Sequence, residues 1–544
     1  MATHRSQEKP PAVEVENADH ALGSVPANAV DSVPNWKTTK LMIVFAFWIS
    51  FAGWVLQFDL GYTGIVLQMQ PFRHAFGHCE MVPAADDVPA HRLCTLTATQ
   101  QSLSSISVIF VSLGAGLSGV TNNYLGRRRA LQLACLIICI GAAGTLGTAG
   151  SYLNYMVCKS IAAVGLGQVN AIGPGYGTEC VAPHRRGILV GLYSVGMALG
   201  STVVAATCLG SSTLESNWAW KLPILLQIPV SLLFGVGLFF FPESPRWLLI
   251  KAREEEARQS FGRFFDKDPH SPEITAQIRQ VEAIIEFERN TAATVSWTEI
   301  FKRRYIRRTA VATLMIVCTS LSGIWFVAPY ATIFLAGLGF HNPYVINVAF
   351  SCCNLAGSFL SPFMAEYVGR RRTIIVGFAV MASSMLIFSA VSTGLGASSN
   401  EARSVLVAFL CIWFFTFGSG PGSVVWVASA EQHSVQYRTY SQAFALWVAF
   451  LFSFGGNFWT PYMLNKDYGN MGTNVGYFYF GLNAAAAIFS FFAVPETARL
   501  TLEQIDEFYE TGGKAWKTSL SQNKKVEMSN NQQALGPQKE ERLE

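Results

Sequence analysis

An all-α membrane protein of twelve transmembrane helices, built as two six-helix halves, is the fold this sequence predicts, and three observations carry that reading. Of 544 residues, 51% are hydrophobic and only 14% charged, too apolar for a soluble chain of this size. The apolar residues run on without alternation for about twenty at a time, the length of a membrane helix, where barrel strands would alternate over about ten. Three charged motifs also occur twice. Gly126-Arg127-Arg128-Arg129 returns as Gly369-Arg370-Arg371-Arg372, Glu179 with Arg186 as Glu431 with Arg438, and Pro242-Glu243-Ser244 as Pro495-Glu496-Thr497. Their separations of 243, 252 and 253 residues mark a duplicated unit. Parallel repeats of that kind hold a solute near the membrane midplane between the copies.

Residues 1–40 form a polar tail with no short apolar core and small-residue cleavage site, so the first membrane helix is expected to do the targeting. Helices are predicted near 41–67, 98–119, 130–149, 153–180, 188–209 and 220–241, which make the first bundle over 41–241. A polar linker over 242–308 follows. The second bundle, 309–494, has helices near 309–336, 344–366, 373–393, 404–431, 439–463 and 473–494. In the linker, KAREEEARQSFGRFF and ITAQIRQVEAIIEFER carry apolar stripes at helical spacing and read as short amphipathic helices against the cytoplasmic face. The tail over 495–544 turns polar after about residue 510, where disorder is expected.

Orientation follows from where the basic residues fall rather than from the net charge of +4. Lys37, Lys40, Arg127 to Arg129, Arg185, Arg186, the 251–308 segment, Arg370 to Arg372, Arg438 and the final lysines all lie on alternate connections, which are therefore cytoplasmic together with both termini. Of eleven cysteines, nine sit in or beside apolar runs as small hydrophobes. Cys79 and Cys94 lie instead in the polar loop after the first helix, which faces out, and a disulfide closing it would contribute roughly 3 kcal/mol.

The fourth helix has small residues at Ala162, Ala163, Gly165 and Gly167 for close packing. It also carries Lys159 at a depth where hydrocarbon charges about 2.5–3.5 kcal/mol for a cation, so that lysine requires a partner or a task. The repeated motifs sit at cytoplasmic helix ends. Contacts among Arg127, Arg128, Glu179, Arg186, Glu243, Arg246, Arg370, Arg371, Glu431, Arg438 and Glu496 are expected to hold the two halves together on that side and to part when the path opens inward.

Over residues 40–505 the chain resembles the sugar porter family of the major facilitator superfamily. The resemblance rests on GRRR at 126 and 369, Pro174-x-Tyr176-x-x-Glu179 with Arg186-Gly187, PESPRWL at 242, Gly420-Pro421 with Trp426 and Glu431, and PETARLTLEQID at 495. It implies an alternating-access carrier, commonly a proton symporter, and the long outer and central loops are similar to those of fungal members. Glu366 takes the family's acidic place before the second GRRR, whereas the first has Asn123. Where the family reads QQLSGIN, this chain has Thr319, Ser320, Leu321, Ser322, Gly323, Ile324 and Trp325, and Ser194 stands for the fifth-helix glutamine. Hydroxyls and an indole in place of amides argue against a hexose and suit an organic acid, a quinate- or uronate-like ring acid, a polyol or a less polar metabolite. Trp426 and Asn457 match family positions that line the cavity, and Tyr330 matches its outer-gate tyrosine.

The resemblance also places Lys159 at a family arginine position, and Asp59 lies one helical turn before the family's acidic position, Thr63. Asp59 and Lys159 are therefore read as a proton-coupling pair. The partners expected are a small-molecule solute, the proton and the lipid bilayer, with the chain acting as a monomer in the plasma membrane. No cofactor, metal or nucleic acid is called for, and no enzyme: no His, Cys and carboxylate cluster has metal spacing, and Gly165 and Gly167 lie inside a membrane helix rather than in a phosphate loop. Export of a metabolite and nutrient sensing on the same scaffold remain alternatives to uptake.

Overall fold

The computed structural model describes residues 38–82, 91–148, 150–181, 186–294, 297–328, 342–395, 400–434, 437–465, 467–500, 502–526 and 528. Among them twelve helices are long and apolar enough to cross a membrane. Spans 1 to 6 are Lys40–Val66, Ala98–Leu125, Arg127–Leu146, Tyr152–Cys180, Gly191–Ser211 and Trp218–Phe240. Spans 7 to 12 are Arg303–Ala328, Pro343–Val368, Arg370–Leu395, Glu401–Gln432, Tyr440–Leu464 and Gly472–Ala493.

The two halves pack by one scheme. In the first half span 1 lies against 5, 2 and 3 both against 4, and 3 against 6; in the second, 7 lies against 11, 8 and 9 both against 10, and 9 against 12. Close approach at small residues makes this possible, since a Cβ at Gly167 would run into the Val111 carbonyl of span 2, and one at Gly418 into the Asn354 carbonyl of span 8. The halves meet along spans 5 and 8 and along spans 2 and 11. There Thr202 Oγ1 donates to the Ser351 carbonyl at 3.2 Å and Ser102 Oγ to the Phe458 carbonyl at 2.9 Å.

Spans 3 and 9 begin earlier than their apolar runs suggest, at Arg127 and Arg370 rather than near 130 and 373. Gly126 and Gly369, with φ of 87° and 97°, make each turn, and a carboxylate then receives the exposed helix start. Glu243 accepts from the backbone N–H groups of Arg127 (2.9 Å) and Arg128 (3.1 Å), and Glu496 from those of Arg370 (2.9 Å) and Arg371 (3.2 Å). A cap is worth about 1 kcal/mol, and here it also offsets the clash between arginines and the positive helix end.

At the opposite end, strands His78–Val82 and His91–Thr95 pair antiparallel with Cys79 opposite Cys94, and a disulfide joins those two residues. At the basic end the linker forms helices Pro245–Ile250, Glu254–Phe265 and Pro272–Thr294. Phe261, Phe264, Phe265, Ile274 and Ile278 bury their apolar stripes in the core of the first half, where Phe264 meets Phe45 at 5.1 Å. The tail differs from expectation. Beyond residue 510 it stays ordered through 526, because Ala515 and Leu520 are buried and Asn523 Nδ2 donates to the carbonyls of Glu496 (3.0 Å) and Ala498 (2.9 Å).

Candidate functional site

Span 1 delivers Asp59 and span 4 delivers Lys159 to one point in the first half, each only 1% exposed. Lys159 Nζ lies 2.7 Å from Asp59 Oδ2. Tyr62, one turn along span 1, donates its phenol proton to Asp59 Oδ1 at 2.7 Å, so its oxygen is free to accept from Lys159 Nζ at 2.9 Å. The Gln227 side-chain oxygen lies 3.0 Å from the same hydroxyl and competes with Asp59 for its single proton. The third ammonium proton points to the Asp59 carbonyl at 3.4 Å, and the Nζ sits 4.0 Å from the Tyr62 ring centre.

The carboxylate and the ammonium thus both have partners, which is how a charge survives in hydrocarbon, while Gln227 Nε2 has none among the described residues. Removing one charge, by protonation or mutation, strands the other. The ion pair ties spans 1 and 4 together.

The repeated motifs build two clusters of the same design. Arg127 grips Glu179 with Nε (2.9 Å) and Nη2 (2.8 Å), while Arg370 holds Glu431 through Nη2 alone (3.0 Å). Ser244 Oγ donates to Glu179 at 2.5 Å and Thr497 Oγ1 to Glu431 at 2.6 Å. Arg128 and Arg371 spend their guanidiniums on the carbonyls of Phe241 (3.1 Å) and Phe491 (2.8 Å). Burial pushes the Glu496 carboxyl up against the pull of the N–H groups of Ala498 and Arg370.

These contacts correct the expectation of clasps between the halves, because each cluster closes within its own half. The reason is geometric: all three motifs of a half converge on one glycine turn, and the capping glutamate reaches no further. Arg246 leaves the cluster to pair with Glu288 of the linker at 2.5 Å. Glu366 is exposed in a π-turn and makes no ion pair among the described residues. Arg438 is exposed at the start of helix Arg438–Leu464, and Arg186 opens helix Arg186–Ser211 with its side chain outside the described residues.

Of the proposed solute ligands, Thr319 and Ser320 are buried and spent on packing. Thr319 Oγ1 faces the carbonyls of Met315 (3.3 Å) and Pro421 (3.4 Å), and Ser320 Oγ donates to the Ala449 carbonyl (3.4 Å) and accepts from Ser453 (3.0 Å). Trp325 is half-buried against Gly456, beside Asn457, whose Oδ1 is buried with no partner among the described residues. Trp426 is 42% exposed, Ser194 half-buried, and Tyr330 lies outside the described residues.

Sequence reasoning missed Tyr62, Gln227, Ser244 and Thr497. Tyr62 had a signal, three residues after Asp59 on the same face; Gln227, a lone amide in an apolar helix, had a weaker one.

A family model described as sugar (and other) transporter matches residues 45–509. The high-affinity fructose transporter of Schizosaccharomyces pombe is 27% identical over 506 residues, covering 91% of this chain and 92% of that protein. The high-affinity gluconate transporter of the same organism is 27% identical, with coverages of 88% and 85%. Among solved structures, the proton:xylose symporter XylE bound to 6-bromo-6-deoxy-D-glucose superposes with a TM-score of 0.67 at 19% identity, covering 87% of this chain and 100% of that one. The partially occluded inward-open form of XylE from E. coli gives 0.67 at 18%, with coverages of 84% and 99%.

Proposed function

Since the chain belongs to the sugar (and other) transporter family, a family of carriers and not of enzymes, we propose that it moves a sugar or sugar acid inward by alternating access, coupled to a proton through Asp59 and Lys159. The observation that carries the coupling is the fully partnered, fully buried ion pair of spans 1 and 4. Protonation of Asp59 loosens spans 1 and 4, and the first half then tilts against the second along the 5–8 and 2–11 contacts. The clusters at the basic end keep each six-helix bundle (41–241 and 309–494) rigid as it tilts, with the 242–308 linker spanning between them. On this reading the basic end is cytoplasmic, both termini with it, and the chain works as a monomer in the plasma membrane.

The substrate class rests on the names of the relatives and on the solute side chains. The indole of Trp325 offers an apolar wall to a sugar ring, and Asn457 Oδ1, an acceptor lacking a donor, takes a solute hydroxyl. Uptake of labelled hexoses, uronates, gluconate, quinate and polyols into transporter-deficient cells tests this. At least one hydroxylated solute is expected to enter, and Asn457→Ala to raise its KM about tenfold, the cost of one polar contact of roughly 1.4 kcal/mol. No flux for the whole panel, with ligand-dependent signalling instead, would replace transport with sensing.

A further inference from the structure

Four arginines, Arg303, Arg304, Arg307 and Arg308, crowd the first turns of span 7, where it enters the membrane at the basic end. With Tyr305, Tyr509 and Glu510 they line a cavity of about 380 Å³. The charges do not balance. Arg304 is matched by Glu510 at 2.7 Å and Arg308 by Asp506 at 2.5 Å, but among the described residues Arg307 meets the Gly513 carbonyl (2.7 Å) and the Tyr509 ring (5.5 Å) and no carboxylate, and Arg303 makes no hydrogen bond or ion pair.

A second observation points into the same space. Arg308 has a side chain only 5% exposed, yet its Nε carries a buried proton with no acceptor among the described residues. A buried donor left open is costly, and an anionic oxygen would recover that cost. Tyr509 lines the same cavity, its ring 4.8 Å from the Arg308 guanidinium. The amino end of the 18-residue helix Arg303–Ser320 adds its own partial positive charge.

We propose that this cavity binds a phosphate-bearing anion, with Arg303, Arg307 and Arg308 Nε as its donors. Guanidinium forks match phosphate oxygens in pairs. The depth of the cavity at the membrane edge suits a lipid headgroup, and the same chemistry serves a soluble phosphate. Neither the solute pathway nor the Asp59–Lys159 pair takes part, so this inference stands apart from the proposed transport cycle.

The test uses the full chain in vesicles of phosphatidylcholine with a minor fraction of phosphatidylinositol phosphate, followed by gentle extraction and mass spectrometry of retained lipid. Wild type is expected to retain the phosphorylated lipid above its share of the bilayer. Arg303→Gln with Arg307→Gln is expected to lose retention by about fivefold per arginine, from the roughly 1 kcal/mol each contributes. Arg129→Gln with Arg372→Gln, exposed arginines at the same end, removes equal charge and is expected to change nothing. Displacement by added inorganic phosphate would extend the site to the soluble anion, and lack of displacement would assign it to the headgroup. Equal loss in both double variants, or loss in neither, overturns the proposal. Unchanged thermal melting of the variants separates lost binding from lost folding.

Discussion

The two halves share their basic-end clusters almost atom for atom and differ in their interiors. Each cluster has a glycine turn, two arginine N–H groups on a capping glutamate, an arginine on the motif glutamate and a hydroxyl supporting it. Among the described residues, only the first half holds an ion pair with both side chains fully buried. Its lysine position corresponds, at the 252-residue offset, to Cys411, a half-buried thiol. Both copies thus keep what holds each bundle together at that end, while one also carries a fully buried charge pair. On the proposed coupling, a symmetric frame carries an asymmetric switch.

That contrast predicts unequal costs. Lys159→Ala strands Asp59 and should lower stability by about 3–5 kcal/mol, against about 1 kcal/mol or less for Cys411→Ala, read as melting shifts of the purified protein. Lys159→Met combined with Asp59→Asn should recover much of the loss, since both charges leave together. Similar shifts at Lys159 and Cys411 would break the contrast.

The glycine turns, by comparison, should cost alike. Alanine at Gly126 or Gly369 must adopt a positive φ and also meets the capping carboxylate, so each change should cost about 1–3 kcal/mol, the two within a few tenths of one another. Markedly different melting shifts would mean that the clusters are less equivalent than their bonds suggest.

A pH measurement sharpens the difference just beyond the motif glutamates. His433 stands two residues after Glu431, where the first half has Val181 after Glu179. Its ring is buried beside Arg438 and Arg308, with neither nitrogen partnered among the described residues, and its pKa is lowered from 6.5 to about 4, first by burial and then by those arginines. Between pH 6.5 and about 4 the unfolded chain therefore holds a proton that the folded one lacks, and stability falls as pH falls, by up to about 1.4 kcal/mol per pH unit. His433→Val should flatten that slope in melting curves taken across the window. An unchanged slope would assign it to other groups.

The smallest expected difference lies in the clusters themselves. Arg127 grips Glu179 with two bonds and Arg370 holds Glu431 with one, so Glu179→Gln should cost about 1 kcal/mol more than Glu431→Gln by melting. A reversed order would contradict the bonding.

Much of this was legible in the sequence, because lipid imposes few solutions: continuous apolar runs located the spans, and motif repetition located the halves. The pairing of Asp59 with Lys159 was also legible, since two opposite charges inside apolar helices have few other places to go. Tertiary direction was not. The sequence shows that glutamates accompany the arginines but not that a glycine turn folds them back into one bundle, and so they were read as ties between halves. Thr319 and Ser320 carry hydroxyls that serve equally as solute ligands or as helix ties, and only the neighbouring carbonyls of Met315, Pro421 and Ala449 decide. The tail looked disordered by composition because three well-placed residues, Ala515, Leu520 and Asn523, are too few to alter an average.

Solute-driven proton movement tests the switch most directly. In vesicles loaded with a pH-sensitive dye, adding the transported solute outside wild-type protein should acidify the lumen. Asp59→Asn should abolish that acidification while solute exchange across the same vesicles continues. Acidification by the Asp59→Asn protein at the wild-type rate would contradict the account.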